Sequence, residues 1–279
     1  MVRNQLYMES PAYTICPEIV NLTQKAMSPL SNKERERYAR QMMLPQLGEE
    51  GQIKLKQASV LCVGAGGLGS SLLYYLAAAG VGKLGIIDDD VVSESNLQRQ
   101  ILHAEADLGE NKAENARKRL QNLNPDLEAE IITQRLSDEN ANEFIRGYDL
   151  VVDACDNFKT RFIINRACIT NAVPMLYGAV AGFNGQISLF HPTAGGPCYR
   201  CMFSEDNLVQ DSSSPIGVIG SAPGVIGSMQ SAEVIKWILN IGEPLTGKIL
   251  SLDLLNSKSS IIRIKKNPHC PDCSHIGSL

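Results

Sequence analysis

Two groups of residues in this sequence have the types and spacing that chemistry needs. The first is Gly64-Ala65-Gly66-Gly67-Leu68-Gly69, a G-x-G-x-x-G run. Glycines in such a run let the backbone approach a phosphate, and a helix opening directly behind them offers unpaired N–H groups and the positive end of its dipole. Asp88 ends the next apolar run, where a carboxylate can accept hydrogen bonds from ribose hydroxyls. This pattern points to a nucleotide but does not separate NAD from ATP. The second group is Cys198-Tyr199-Arg200-Cys201 with Cys270-Pro271-Asp272-Cys273. Either pair alone could be redox-active, but together they supply four thiolates in two turns, the donor set of a tetrahedral structural zinc.

Further polar residues fall where a nucleotide site would need them. The connection Ser93–Gln100 carries Asn96, Gln98, Arg99 and Gln100, and Lys112 opens the helix that follows. Asp156 and Asn157 come just after an apolar strand, and Tyr38-Ala39-Arg40-Gln41 lies upstream. Taken singly, an exposed Arg or Lys is a solvated charge and Asp-Asn is a helix cap. Jointly, Asp88, Arg99 and Asp156 sit at or just past the carboxyl ends of strands, where parallel sheets hold ligands.

The elements that position them alternate. Ser31-Asn32-Lys33-Glu34 reads as a capping box with a charged helix through Gln41, ended by Pro45 and Gly48. Strands are predicted at Ser59–Val63, Lys83–Asp88, Leu127–Ile132, Asp149–Asp153 and Pro174–Val180. Helices at Leu68–Ala79, Asn111–Leu123, Asp138–Arg146 and Asn157–Asn171 separate them. This spacing predicts an α/β fold, a Rossmann-like, mostly parallel sheet with helices on both faces. Beyond Val180, Phe183-Asn184-Gly185 reads as a hairpin turn before a strand at Gln186–Phe190. A Gly/Pro/Ser-rich crossover over 193–227 then leads to a helix at Met229–Leu239 and two antiparallel strands, Lys248–Leu254 and Ser260–Lys265.

Composition narrows the function. The chain has 279 residues, 26 Lys+Arg against 30 Asp+Glu, and a net charge of −4, which argues against a general nucleic-acid or anionic-membrane binder. No apolar run reaches the roughly 20 residues of a membrane-spanning helix, and residues 1–30 lack the apolar core of a signal peptide. The expectation is a cytoplasmic protein with reduced thiols, organised as an N-terminal extension over 1–30 and one domain over 31–279. Cys62 and Cys168 read as core residues, and Cys155 as buried beside Asp156.

In order, Arg-Tyr-x-Arg-Gln (37–41), the glycine loop (64–69), Asp88, Ser-Asn-Leu-Gln-Arg-Gln (95–100), Gly-x-x-Lys (109–112) and Asp-x-x-Asp-Asn (153–157) resemble the ThiF/MoeB/HesA adenylyltransferases, the bacterial relatives of ubiquitin-activating enzymes. The resemblance runs over about 31–273. It implies that ATP adenylates the C-terminal glycine carboxylate of a ubiquitin-like sulfur-carrier protein ending in Gly-Gly, with release of pyrophosphate. By matching position, Asp88 would hold the ribose and Gly67 the phosphate region. Arg99 and Lys112 would contact the phosphates, and Asp156 would position Mg2+ with Asn96 and Asn157 nearby. Gly64, Gly66, Gly69, Ser95, Leu97 and Gln98 complete the implied nucleotide site. The arginine matching Arg40 reaches the other subunit's active site in the family, which implies a homodimer. Cys198, Cys201, Cys270 and Cys273 match the family's zinc pairs.

One departure stands out. Many family members carry, in the crossover, a cysteine that links covalently to the carrier, and Ser213 occupies that position here. Serine offers no accessible thiolate, so the reaction is expected to stop at the acyl-adenylate, with a separate sulfur donor. Three other readings compete. The same site could adenylate a small-molecule carboxylate. An NAD-dependent oxidoreductase would account for the glycine loop and Asp88, but leaves Arg40, Arg99, Lys112 and Asp156 without a joint role. A non-catalytic nucleotide-gated scaffold would leave the phosphate contacts unused.

Overall fold

Ser59–Val63 (β1), a run of Ser-Val-Leu-Cys-Val, is buried at every residue, as a strand covered on both faces must be. Its side chains divide by period two: Val60 and Cys62 enter one apolar cluster, Leu61 and Val63 another. A computed structural model describes residues 29–205 and 217–276 and shows where those clusters lie. With Lys83–Ile87 (β2), Glu128–Ile132 (β3), Leu150–Asp153 (β4), Met175–Ala181 (β5), Asn184–Phe190 (β6), Lys248–Asp253 (β7) and Lys258–Arg263 (β8), β1 forms one eight-stranded sheet of order β3-β2-β1-β4-β5-β6-β7-β8. Pairings from β3 through β5 are parallel and those from β5 to β8 antiparallel. The predicted α/β class, with a parallel core continued by antiparallel strands, is what the chain adopts.

The helices are Asn32–Met42 (α1), Gly48–Gln57 (α2), Gly67–Ala79 (α3), Lys112–Leu123 (α4), Ala141–Ile145 (α5), Phe158–Thr170 (α6) and Ser221–Leu239 (α7). Leu72, Leu73 and Leu76 of α3 share one cluster with Ile226 and Val234 of α7. Phe162, Ile163 and Ile164 of α6 share the other with Tyr177 and Tyr199. The Ser31 capping box forms as expected, with the Ser31 hydroxyl accepting from the Glu34 N–H and Glu34 accepting from the Ser31 N–H at 2.7 Å.

Several boundaries differ from the sequence reading; α5 spans Ala141–Ile145 rather than Asp138–Arg146, and β8 spans Lys258–Arg263 rather than Ser260–Lys265. Helix α2 was not expected. Gly-Glu-Glu-Gly-Gln-Ile-Lys-Leu-Lys-Gln carries little apolar pattern, and tertiary contact secures it: Leu55 is fully buried, and the Gln52 amide donates to the Ala79 carbonyl at 3.0 Å. Helix α7 starts at Ser221 rather than Met229, taking two turns from the crossover. The β5–β6 hairpin turns at Gly182 and Phe183, with φ +59° at Gly182, one residue earlier than the predicted triplet, whose Asn184 and Gly185 already belong to β6.

Candidate functional site

The sheet changes direction of winding between β1 and β4, which opens a crevice at their carboxyl ends. The glycine loop fills its floor. Gly64 takes φ +108°, a region that disfavours a side chain, and a Cβ there would meet the Ala154 carbonyl of the β4 end at 2.6 Å. Gly66 caps α3, and a Cβ on Gly69 would come within 2.2 Å of the Gly64 carbonyl. Gly67 lies against Pro223 of α7, beneath the Arg99 side-chain stem. The loop is thus shaped by close packing on α7 and β4, and the helix N-terminus stays directed into the crevice.

Asp88 stands beside this loop. Its carboxylate accepts from the Ala65 N–H at 2.8 Å and from the Asp90 N–H at 3.0 Å. Burial pushes its carboxyl above the usual value of 3.8, opposed by the Ala65 hydrogen bond and the nearby Lys112 charge. Lys112 opens α4, capped by the Asn111 side chain, and is buried, with Nζ donating to Asp90 Oδ2 at 2.9 Å. Asn111 also donates to the Asp88 and Asp90 carbonyls at 3.2 Å, pinning α4 to the β2 end.

The connection bearing Ser95, Asn96, Leu97, Gln98 and Arg99 forms a short helical turn over Glu94–Asn96. Asn96 accepts from the Ser93 N–H, and the Arg99 guanidinium donates to the Ser95 carbonyl at 3.1 Å. The Gln98 carbonyl rests on Gly220, the residue before α7, so the crossover returns beside Arg99. Gln100 is buried with its amide against Gly66, and its Oε1 has no partner among the described residues.

At the β4 end, Asn157 caps α6 through a 2.9 Å bond from the Thr160 N–H, and Asp156 is exposed just before it. The turn between is held from below. Arg161 donates from Nε to Asp153 at 3.1 Å and from Nη2 to the Cys155 carbonyl at 2.9 Å, with Asp153 fully buried. Gln230 of α7 donates to the Asp153 carbonyl at 2.9 Å. Cys155 is half-buried, its thiol on Asp153, while Cys62 and Cys168 fill the core as expected.

Glycine loop, Asp88, Arg99, Lys112, Asp156 and Asn157 therefore share one sheet edge. Arg40 does not join them. It is exposed on α1, which docks at the far end of α3: Gln41 donates to the Ala79 carbonyl at 2.8 Å. The thirteen residues of α3 place roughly 20 Å between that end and the glycine loop. Ser213 lies outside the described residues, as does the extension up to residue 28.

Sequence reasoning missed His103, Asp90, Arg161 and the α7 residues Pro223 and Gln230. His103 is buried between the glycine loop and α4, with Nε2 2.9 Å from the Ala65 carbonyl and Nδ1 2.8 Å from Asn115 Oδ1. Nothing local in the sequence marks these residues. Arg161 is the exception, since it lies one turn beyond Asn157 and eight residues beyond Asp153 in the sequence.

The four paired cysteines converge. Sγ separations are 3.8 Å for Cys198–Cys201, 3.5 Å for Cys198–Cys270 and 3.4 Å for Cys201–Cys273, and all four sulfurs lie within 4.8 Å of one another. None forms a disulfide. Burial and the neighbouring sulfurs push the Cys198 thiol up, so thiolates packed this closely need a cation. Arg200 ties the pairs together, donating to Glu205 and Asp272 at 3.0 Å each.

A glycine loop at the switch point of a parallel sheet, facing an acidic strand end, defines a Rossmann-type nucleotide-binding domain. The chain matches the ThiF family model over residues 38–272 and belongs to that family. It is 48% identical over 249 residues to the sulfur carrier protein adenylyltransferase of Thermus thermophilus, covering 87% of this chain and 92% of that one. It is 41% identical over 251 residues to the SAMP-activating enzyme E1 of Haloferax volcanii, covering 89% and 92%. Among solved structures, E. coli MccB with ATP is similar, with a TM-score of 0.75, 25% identity, and 86% of this chain and 75% of that one covered. Among the described residues no helix is long and apolar enough to cross a membrane.

Proposed function

We propose that this enzyme uses ATP to adenylate the C-terminal glycine carboxylate of a ubiquitin-like sulfur-carrier protein, for sulfur transfer in cofactor biosynthesis of the molybdopterin or thiamine type. The names of its relatives support the reaction class. The observation that carries the reading is the placement of Asp88, Lys112 and Arg99 around the glycine loop at one sheet edge.

The chemistry needs no general base. A terminal carboxylate with a pKa of about 3.5 is ionised at neutral pH. A carboxylate oxygen attacks the α-phosphorus, the bond from that phosphorus to the bridging oxygen breaks, and pyrophosphate leaves with the electron pair. The obstacle is repulsion between the anion and the triphosphate, and fixed positive charge offsets it. Asp88 accepts from the ribose, and the α3 N-terminus, Arg99 and Lys112 take the phosphates. Asp156, exposed at the same edge beside Asn157, would hold Mg2+, which supplies further charge neutralisation when bound. Arg40, exposed on α1 far from its own site, completes that of a second subunit in a homodimer.

The cysteine cluster fits zinc. A tetrahedral Zn–S bond of about 2.3 Å requires sulfurs about 3.8 Å apart, close to the separations found. Cys198, Cys201, Cys270 and Cys273 would fill all four positions, so the role is structural. With Ser213 in place of a crossover cysteine, the reaction stops at the acyl-adenylate and sulfur comes from a separate donor, all within the cytoplasm.

ATP–pyrophosphate exchange tests this. Exchange is expected with a carrier ending in Gly-Gly and not with the same carrier shortened by one glycine. Exchange driven only by small carboxylates, or binding of NAD in place of ATP, would overturn it.

A further inference from the structure

We infer that His103 is a positioning residue: a buried strut that fixes the distance between the glycine loop and the helix carrying Lys112, so that one nucleotide is gripped by both. The inference rests on the proposed nucleotide site and concerns its assembly.

Ala65 lies inside the glycine loop and is held on both sides. Its N–H donates to Asp88 at 2.8 Å, and its carbonyl faces His103 Nε2 at 2.9 Å. A carbonyl can only accept, so Nε2 carries a proton. The opposite nitrogen, Nδ1, lies 2.8 Å from Asn115 Oδ1, also an acceptor, so both ring nitrogens carry protons when both contacts are hydrogen bonds; Asn115 lies one turn beyond Lys112 on α4. Asn115 is 1% exposed and donates to Glu110 at 3.3 Å, which orients its amide. The contacts close into a ring running from Asp88 through Ala65, His103, Asn115 and α4 to Lys112, Asp90 and back to Asp88. Cutting the ring at His103 leaves the Ala65 carbonyl and Asn115 Oδ1 buried without their donor, and frees the loop to drift relative to Lys112.

The imidazole is 6% exposed and lies behind the loop, so it acts through the loop and α4 rather than by touching substrate. Its loss should therefore appear in nucleotide binding. The carrier's own KM should not move.

The test is a double-mutant cycle on the full-length enzyme, with the ATP dissociation constant measured by calorimetry and the KM values for ATP and carrier measured in exchange. His103→Phe and Asn115→Ala are each expected to weaken ATP about tenfold, the scale of one hydrogen bond. The double variant should be no weaker than His103→Phe alone, and the carrier KM unchanged. His103→Gln retains a donor toward Ala65 but loses Asn115, so it is expected to match Asn115→Ala. It serves as the first arm if His103→Phe does not fold. Losses that multiply in the double variant, or an unchanged ATP affinity in folded single variants, would overturn the strut. Failure of the unaltered enzyme to bind ATP at all would instead overturn the proposed function.

Discussion

Lys112 Nζ lies 2.9 Å from the Asp90 carboxylate, although the lysine side chain is 7% exposed and the aspartate 69%. The ammonium group is held at the end of a buried stem by a partner that water already solvates. Asp90 is largely exposed, so water can take over its carboxylate when an arriving phosphate takes the buried lysine's charge. Lys112→Met keeps the stem and removes the charge. Exchange is expected to fall about 10²–10³-fold with the fold intact. Asp90→Asn should lose less than about tenfold in the same assay.

Arg99 has only the Ser95 carbonyl as a polar partner among the described residues, so nothing structural depends on its charge. Arg99→Ala should leave the circular dichroism spectrum and melting temperature unchanged and abolish exchange. Unchanged exchange in the folded variant would remove Arg99 from the phosphate site.

Burial holds the Asp88 carboxyl above 3.8. In the free protein, ionising a carboxyl of this kind opposes folding, so its contribution to stability declines as pH rises from 3.8 through the raised value. Ribose binding needs the ionised form and runs the other way. The KM for ATP is expected to rise as pH falls through this titration, while the Asp88 contribution to stability of the free enzyme grows. Asp88→Asn should flatten both trends, read from exchange kinetics and urea melts across pH.

Among the described residues Arg161 is the sole cation paired with the fully buried Asp153, whose carboxyl burial pushes upward and Arg161 pulls down. Removing one partner of a buried pair leaves an uncompensated charge. Arg161→Met is expected to destabilise by about 3–5 kcal/mol in urea titrations. Adding Asp153→Asn should recover part of that loss.

Protein purified without chelators should hold one zinc per chain by elemental analysis. Cys270→Ser is expected to lose the metal and melt about 10 °C lower or more, since a few kcal/mol shift a domain of this size by that amount. Zinc clearly below one per chain in the unaltered protein would speak against the site.

What the sequence made legible follows local rules. Capping at Ser31, the all-apolar run at β1, the glycine loop and the two C-x-x-C pairs each carry their signal within a few residues. Helix α2 and the first turns of α7 carried none. Ser221-Ala222-Pro223-Gly224 has the composition of a loop, yet Pro223 packs on Gly67 and, one turn on, Gly227 lets α7 approach α3: a Cβ there would meet the Leu68 carbonyl at 2.2 Å. His103 was hidden for the same reason. Its partners, Ala65 and Asn115, are 38 and 12 residues away, and only the folded sheet edge brings them together.

The cysteine cluster joins positions 72 residues apart, and the crossover, α7 and both last strands lie between them. During synthesis the first pair must wait, as free thiols, until residue 273 has left the ribosome. A chain stalled within that interval lacks the second half of the clasp, and one stalled before α7 has emerged also lacks Pro223 and Gln230, which support the glycine loop and the Asp153 turn.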